Sequence, residues 1–223
     1  MYGTADDRGA VQLWDFEPAF RGSSFIGNKN LNRDSAHDDR YKGFELTLTK
    51  RRNRLWGLTG TFQMVKNHVW TTAGALPSSP NDLFFPLDET WDWSGKVLGS
   101  YQVPARIQVS ALFNFLRGAA QQRTYQFRTA DPLGGKPLTQ VGTVTVALEP
   151  LGATRLDPQR VLNLRAARMV SLGRQQLTFS FQVFNVLNDN TPTTVRFVSG
   201  PTFGQISVIT PPRIARIGIE YKF

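Results

Sequence analysis

The segment YKGFELTLTKRRNRLWGLTGTFQMVKN (residues 41–67) holds two runs of alternating character joined by a short basic stretch. In the first run Phe44, Leu46 and Leu48 share one parity, and Glu45, Thr47 and Thr49 share the other. In the second, Trp56, Leu58, Phe62 and Met64 stand opposite Thr59, Thr61 and Gln63. Successive strand side chains point to opposite faces of a sheet. The two runs therefore predict strands with one apolar and one polar face, and RRNR (51–54) predicts the turn of a hairpin.

The same alternation recurs along the chain. RIQVSALFNFL (106–116) sets Ile107, Val109, Ala111, Phe113 and Phe115 against Gln108, Ser110 and Asn114. QLTFSFQVF (176–184) sets Leu177, Phe179, Phe181 and Val183 against Thr178, Ser180 and Gln182. SGKVLGSYQV (94–103) and RVLNLRAARMV (160–170) repeat the pattern less strictly. PPRIARIGIEYKF (211–223) places Ala215, Ile217, Ile219, Tyr221 and Phe223 on one parity and Arg216, Glu220 and Lys222 on the other. These are seven segments of about 9–13 residues, the length a tilted strand needs to cross a bilayer.

Connection lengths alternate as well. RRNR (51–54), PAR (104–106) and SLGR (171–174) are short, whereas 68–93, 118–158 and 188–211 are long, polar and rich in Pro, Gly and Asn. Outer-membrane barrels segregate short periplasmic turns from long extracellular loops in this way. The expected fold is therefore all-β: an antiparallel transmembrane β-barrel segment of about seven to eight strands. Residues 1–40 read as an extracellular loop or the remnant of a preceding strand, and 41–223 as barrel. Within 118–158, TYQFRT (124–129) and GTVTVALEP (142–150) read as a hairpin above the membrane, with two extra spanning strands as the alternative.

Strand direction assigns the aromatic residues to rims. Trp56 follows a short turn and Tyr101 precedes one, so both belong to the periplasmic rim. Trp91 and Trp93 close a long connection and belong to the outer rim. Aromatic residues at both interfaces form the girdle of a membrane protein; the competing reading is that they fill a soluble core. Arg168 shares the parity of Leu164 and Ala166, and the nearby turn lets it snorkel to headgroups.

Composition narrows the function classes. The 223 residues include 16 Phe, 5 Trp and 5 Tyr but no cysteine, which removes disulfides and thiolate metal sites. The net charge of +9 is spread along the chain, with KRRNR (50–54) the one dense run, so nucleic-acid binding is not expected. An enzyme is not expected either. The two histidines are His37, in DSAHDDR, and His68, which has no acidic neighbour, and no nucleophile-elbow, zincin or P-loop pattern occurs. Neither a metal nor a cofactor is expected.

The segments YKGFELTLTKRRNRLWGLTGTF (41–62), VLNLRAARMVSLGRQQLTFSFQVFNVLN (161–188) and PPRIARIGIEYKF (211–223) resemble the barrel of TonB-dependent outer-membrane receptors, particularly those with an amino-terminal carboxypeptidase-regulatory-like domain. The second segment carries the family's recurrent F-N-x-x-N ending at Phe184, Asn185 and Asn188. The resemblance covers roughly 41–223 and rests on the order and spacing of loose motifs. It implies residence in the bacterial outer membrane and import of a large nutrient such as a siderophore, oligosaccharide or peptide. It further implies a 22-strand barrel around a plug, and contact through that plug with the TonB energy-transducing complex. Ile217, Ile219, Tyr221 and Phe223 match the closing strand that the barrel assembly machinery reads in the family.

The chain departs from the family in having about seven strands, no plug, no energy-coupling box and no leader pattern in MYGTADDRGAVQLW. It is therefore expected to be the carboxy-terminal portion of a receptor. Two other readings stay open: a self-contained small barrel with an anchoring or adhesin role, and a soluble β-protein whose apolar faces pack on each other and bind a polyanion. For ligand contact the candidate loop is NDLFFPLDETWDW (81–93), where Phe84, Phe85, Trp91 and Trp93 alternate with acids; packing between loops competes with that role. On the polar parity, Glu45, Arg165, Arg216 and Glu220 are expected to pair with one another or to meet a plug.

Overall fold

The computed structural model describes residues 15, 17–20, 22–23, 40–53, 55–68, 90–128 and 143–223. Seven strands form one antiparallel sheet: β1 (Arg40–Lys50), β2 (Trp56–His68), β3 (Trp91–Val103), β4 (Ile107–Leu116), β9 (Gln159–Leu172), β10 (Gln175–Phe184) and β13 (Ile214–Lys222). They lie in sequence order, so the sheet is a meander, and each expected strand is present within a few residues of its expected bounds. Among the described residues, no helix is long and apolar enough to cross a membrane.

Three turns close one end of the sheet, each with its own local cause. Between β1 and β2, the Asn53 side-chain oxygen accepts the amides of Leu55 at 3.2 Å and Trp56 at 3.3 Å, an Asx-type turn. Between β3 and β4, Pro104–Arg106 forms a tight turn in which Ala105 and Arg106 both take positive φ, 66° and 57°, outside right-handed helical geometry. The β9–β10 connection contracts to Gly173 and Arg174, because Leu172 and Gln175 pair directly. Gly173 takes φ 68° at the first central position, where a two-residue hairpin turn favours glycine.

The opposite end carries three small two-stranded sheets built from the long connections: β5 (Ala120–Gln121) with β8 (Thr154–Arg155), β6 (Thr124–Arg128) with β7 (Thr143–Ala147), and β11 (Pro192–Val195) with β12 (Ile206–Ile209). The β6–β7 hairpin pairs with itself and does not enter the main sheet, where β4 pairs directly with β9. This outcome favours the hairpin reading of 124–150 over two additional members of the large sheet. The physical reason lies in length: five-residue strands match one another but are half as long as the ten-residue β4 and shorter still against the fourteen-residue β9 that they would have to join. The buried apolar cluster of the described residues also sits here, made of Tyr125, Phe127 and Val146 with Val144 and Leu148 against it.

The large sheet is open. β1 and β13 are its two edges and do not pair with each other. Nor is its apolar face covered by another layer: Leu48, Ile219 and Ile217 are 64%, 67% and 79% exposed. An apolar core between two packed sheets, which the soluble reading requires, is not what the described residues build.

Candidate membrane-facing surface and loop platform

The register shows how seven amphipathic strands combine. Leu46 pairs with Phe62, Phe62 with Gly95, Gly95 with Phe115, and Phe115 with Arg160. Nearer the short turns, Trp56 pairs with Tyr101, Tyr101 with Val109, Val109 with Ala166, Ala166 with Phe181, and Phe181 with Ile217. Directly opposed residues in an antiparallel pair share a face. The apolar parities of all seven strands therefore coincide on one side, and a slip of one residue anywhere would break the surface in two.

Aromatic residues gather at the short-turn end of this face and from its middle toward the long connections. At the short-turn end Trp56 and Tyr101 are register partners, and the Lys50 ammonium lies 3.5 Å from the Trp56 ring centroid. Tyr221 and Phe223 are 6.1 Å apart at the same end of β13. Toward the long connections, Phe44, Phe62, Trp93 and Phe115 form a ladder across β1 to β4. Their centroids are separated by 6.5, 6.2 and 4.3 Å, and the last pair is stacked at 10°. Gly95, opposite both Phe62 and Phe115, leaves room for this stack. The alternation placed these rings on one parity, but their meeting depends on register, which sequence periodicity does not supply. Phe84 and Phe85 lie outside the described residues, as does His37, so the loop 81–93 is represented here by its end, Trp91 and Trp93.

The start of β3 is held from above. Arg117 Nη1 donates to the Trp91 carbonyl, which also accepts from Arg155 Nη2 at 3.2 Å. Arg155 Nη1 donates to the Gly118 carbonyl at 2.7 Å and to the Asp92 carboxylate at 2.8 Å. Asp92 is well exposed, so the ion pair itself contributes little and the carbonyl contacts orient the strand.

On the other face the expected pairing among four charged residues does not occur. Arg165 and Arg216 both stand opposite Gln182, one on each side of it; Glu45 opposes Gln63; and Glu220 bonds Lys222 on its own strand at 3.2 Å. Alternation fixes the face of a residue, but the order of strands fixes its neighbours. This side is hydroxyl- and amide-rich, with Thr47 opposite Thr61, Ser100 opposite Ser110 and Gln102 opposite Gln108. An open concavity of about 800 Å³ lies along it, bordered by Gln102, Arg106, Gln108, Arg165 and Thr178.

Two polar clusters fix the loop platform. Arg123, 3% exposed, donates its amide to Glu149 Oε1 at 3.1 Å and its Nε to the Ser199 hydroxyl at 2.8 Å, with its guanidinium 4.9 Å from the Phe203 centroid. Thr124 and Val198 add a parallel bridge, so the β6–β7 hairpin and the loop before β12 form one unit. The second cluster is the F-N-x-x-N segment. Asn185 (φ 48°) and Asn188 (φ 53°) turn the chain in the left-handed region, which Asn tolerates. The Asn185 amide group donates to the carbonyls of Asp189 at 2.8 Å and Pro211 at 2.7 Å, while its oxygen accepts the Asp189 amide at 2.9 Å.

Asp189 in turn accepts the Arg160 amide at 2.6 Å, the Thr191 amide at 2.8 Å and the Thr191 hydroxyl. Burial pushes the Asp189 carboxyl up, but these hydrogen bonds and the positive charge of Arg160 outweigh it and hold the group below its ordinary value. Compared with protein-family models, curated proteins and solved structures, the chain returns no match.

Proposed function

We propose that the seven-stranded sheet is a section of the wall of an outer-membrane β-barrel, with its apolar face toward lipid, its polar face toward an aqueous interior and its long connections outside the cell. The observation that carries this reading is the apolar face that crosses all seven strands in register, exposed or half-exposed and with no layer packed over it among the described residues. Contiguous apolar patches on soluble monomers rarely exceed a few hundred Å². In lipid the same surface is the favourable one.

Dimensions agree. From Trp56, opposite Tyr101, to Lys66, opposite Trp91, β2 advances ten residues. At ~3.4 Å per residue and a tilt of ~40° this spans ~26 Å along the membrane normal, close to the ~25 Å apolar band of such barrels. The open edges of β1 and β13 require further strands, because unpaired backbone groups in hydrocarbon cost several kcal/mol each. The resemblance to TonB-dependent receptors supplies those strands and a transport role: uptake of a large nutrient through a plugged, TonB-energised barrel. In this reading the protein is not an enzyme.

The absence of cysteine makes a direct test simple. Single cysteines introduced at Phe179, Phe181, Ser180 and Gln182 are labelled in lipid bilayers with an environment-sensitive probe. The reading expects Phe179 and Phe181 positions to be quenched by lipid-borne quenchers, and Ser180 and Gln182 by aqueous ones. Equal aqueous quenching at all four would remove the membrane assignment. Uptake of siderophores, oligosaccharides and peptides by cells with and without the full receptor gene tests the transport part separately.

A further inference from the structure

We propose that Lys42 and Lys66, together with Trp91, form a site for the phosphate of an anionic lipid headgroup at the outer rim of the lipid-facing side; the inference rests on the membrane reading above. Lys42 and Lys66 are register partners, and Lys66 faces Trp91 on its other side. Partners across antiparallel strands share a face. The row Lys42–Lys66–Trp91 therefore lies near the long-connection end of the apolar face, between the row Phe44–Met64–Trp93 and the last pair of the same parity, Arg40–His68.

Like charges placed directly opposite one another on a sheet destabilise it, since their Cβ atoms are only ~5 Å apart. No carboxylate on these strands relieves the pair. The acids of β1, β2 and β3 are Glu45 and Asp92, both of the opposite parity, and Asp92 is engaged by Arg155. Among the described residues neither lysine takes part in an ion pair. A phosphate between the two ammonium groups would reverse the sign of this interaction.

The position selects a lipid as the source. The row lies ~26 Å from the Trp56–Tyr101 row by the strand geometry above, at headgroup depth. A phosphate there carries acyl chains onto Phe44, Met64 and Trp93, and an indole at the same level anchors the interface. A soluble anion would gain only the charge contact.

The full chain is reconstituted in bilayers of neutral phosphatidylcholine, and in bilayers doped with anionic phosphatidylglycerol. Thermal unfolding is followed in each, and co-purifying anionic lipid is counted by native mass spectrometry. In neutral bilayers Lys66→Gln should unfold at a higher temperature than the parent, because the repulsion is gone. In anionic bilayers that order should reverse and retained anionic lipid should fall several-fold. Lys96→Gln, on the polar face, should change neither readout.

The same order of stabilities in both bilayers, or undiminished lipid retention by Lys42→Gln and Lys66→Gln, would overturn the site. If inorganic phosphate in neutral bilayers gave the parent the same stabilisation, the ligand would be a soluble anion and the lipid assignment would fall. Failure of every variant to enter either bilayer would defeat the membrane reading itself. Entry with equal behaviour in both bilayers would defeat this inference alone.

Discussion

The carboxamide of Asn185 donates to the main-chain carbonyl of Pro211 at 2.7 Å, tying the end of β10 to the entry of β13 across the whole intervening loop. The same side chain, 4% exposed, also serves Asp189 through both its oxygen and its nitrogen. The main-chain amide of Asn185 donates to Asn163 Oδ1 on β9 at 2.9 Å. One residue thus fixes three consecutive neighbours of the sheet. Asn185→Ala leaves the part-buried carbonyls of Asp189 and Pro211 without this donor and forces alanine into the left-handed region. A loss of about 2–4 kcal/mol is expected in denaturant unfolding. Asn185→Gly relieves the backbone part only and should recover less than half of that loss.

Gly118 is required by close approach. A Cβ there would lie 1.6 Å from the Leu156 carbonyl oxygen, a main-chain atom that cannot rotate away. Gly118→Ala should therefore destabilise the platform by about 1–3 kcal/mol or more, as overpacking does. Limited proteolysis should show cleavage rising first within 117–158, before the main sheet opens.

The two faces of β2 make opposite predictions. Phe62 lies between Leu46 and Gly95 on the apolar face, and Gln63 between Glu45 and Ser94 on the polar one. In bilayers Phe62→Arg should cost about 2–4 kcal/mol, the midplane value for a cation facing lipid. Gln63→Arg, opposite a carboxylate, should lie within about 0.5 kcal/mol of the parent. Equal costs for both substitutions in a folding titration would contradict the assignment of faces.

Asp189 links stability to pH. Its folded-state value is depressed, so its contribution is fully present above the unfolded value near 3.8 and is lost as pH falls through the lower folded value. Stability measured from pH 6 downward should stay level until about pH 4 and then fall. Asp189→Asn should flatten that acid limb while lowering stability at neutral pH, because the Arg160 and Thr191 amides use different carboxylate oxygens and a carboxamide offers an oxygen to only one of them.

The seven strands were legible because each alternates on its own. The parity that groups Phe179 and Phe181, or Ile217 and Ile219, is a property of the covalent chain and survives in the folded sheet. The loop strands were less legible. β11 and β12 are four residues each and carry no extended alternation, so the hairpin of Pro192–Val195 with Ile206–Ile209 went unpredicted. The F-N-x-x-N segment was visible as a motif, yet its work became apparent only when Asn163, Asp189 and Pro211 were brought to Asn185.

Sequence by itself determined which side chains share a face and where the chain turns, because the two-residue period of a strand is local. Tertiary structure alone decided which faces adjoin, since register is set between strands. It stacked Trp93 on Phe115, separated Arg165 from Arg216 by Gln182, and set Lys42 against Lys66. It also left β1 and β13 as open edges, a fact about pairing that no single strand encodes.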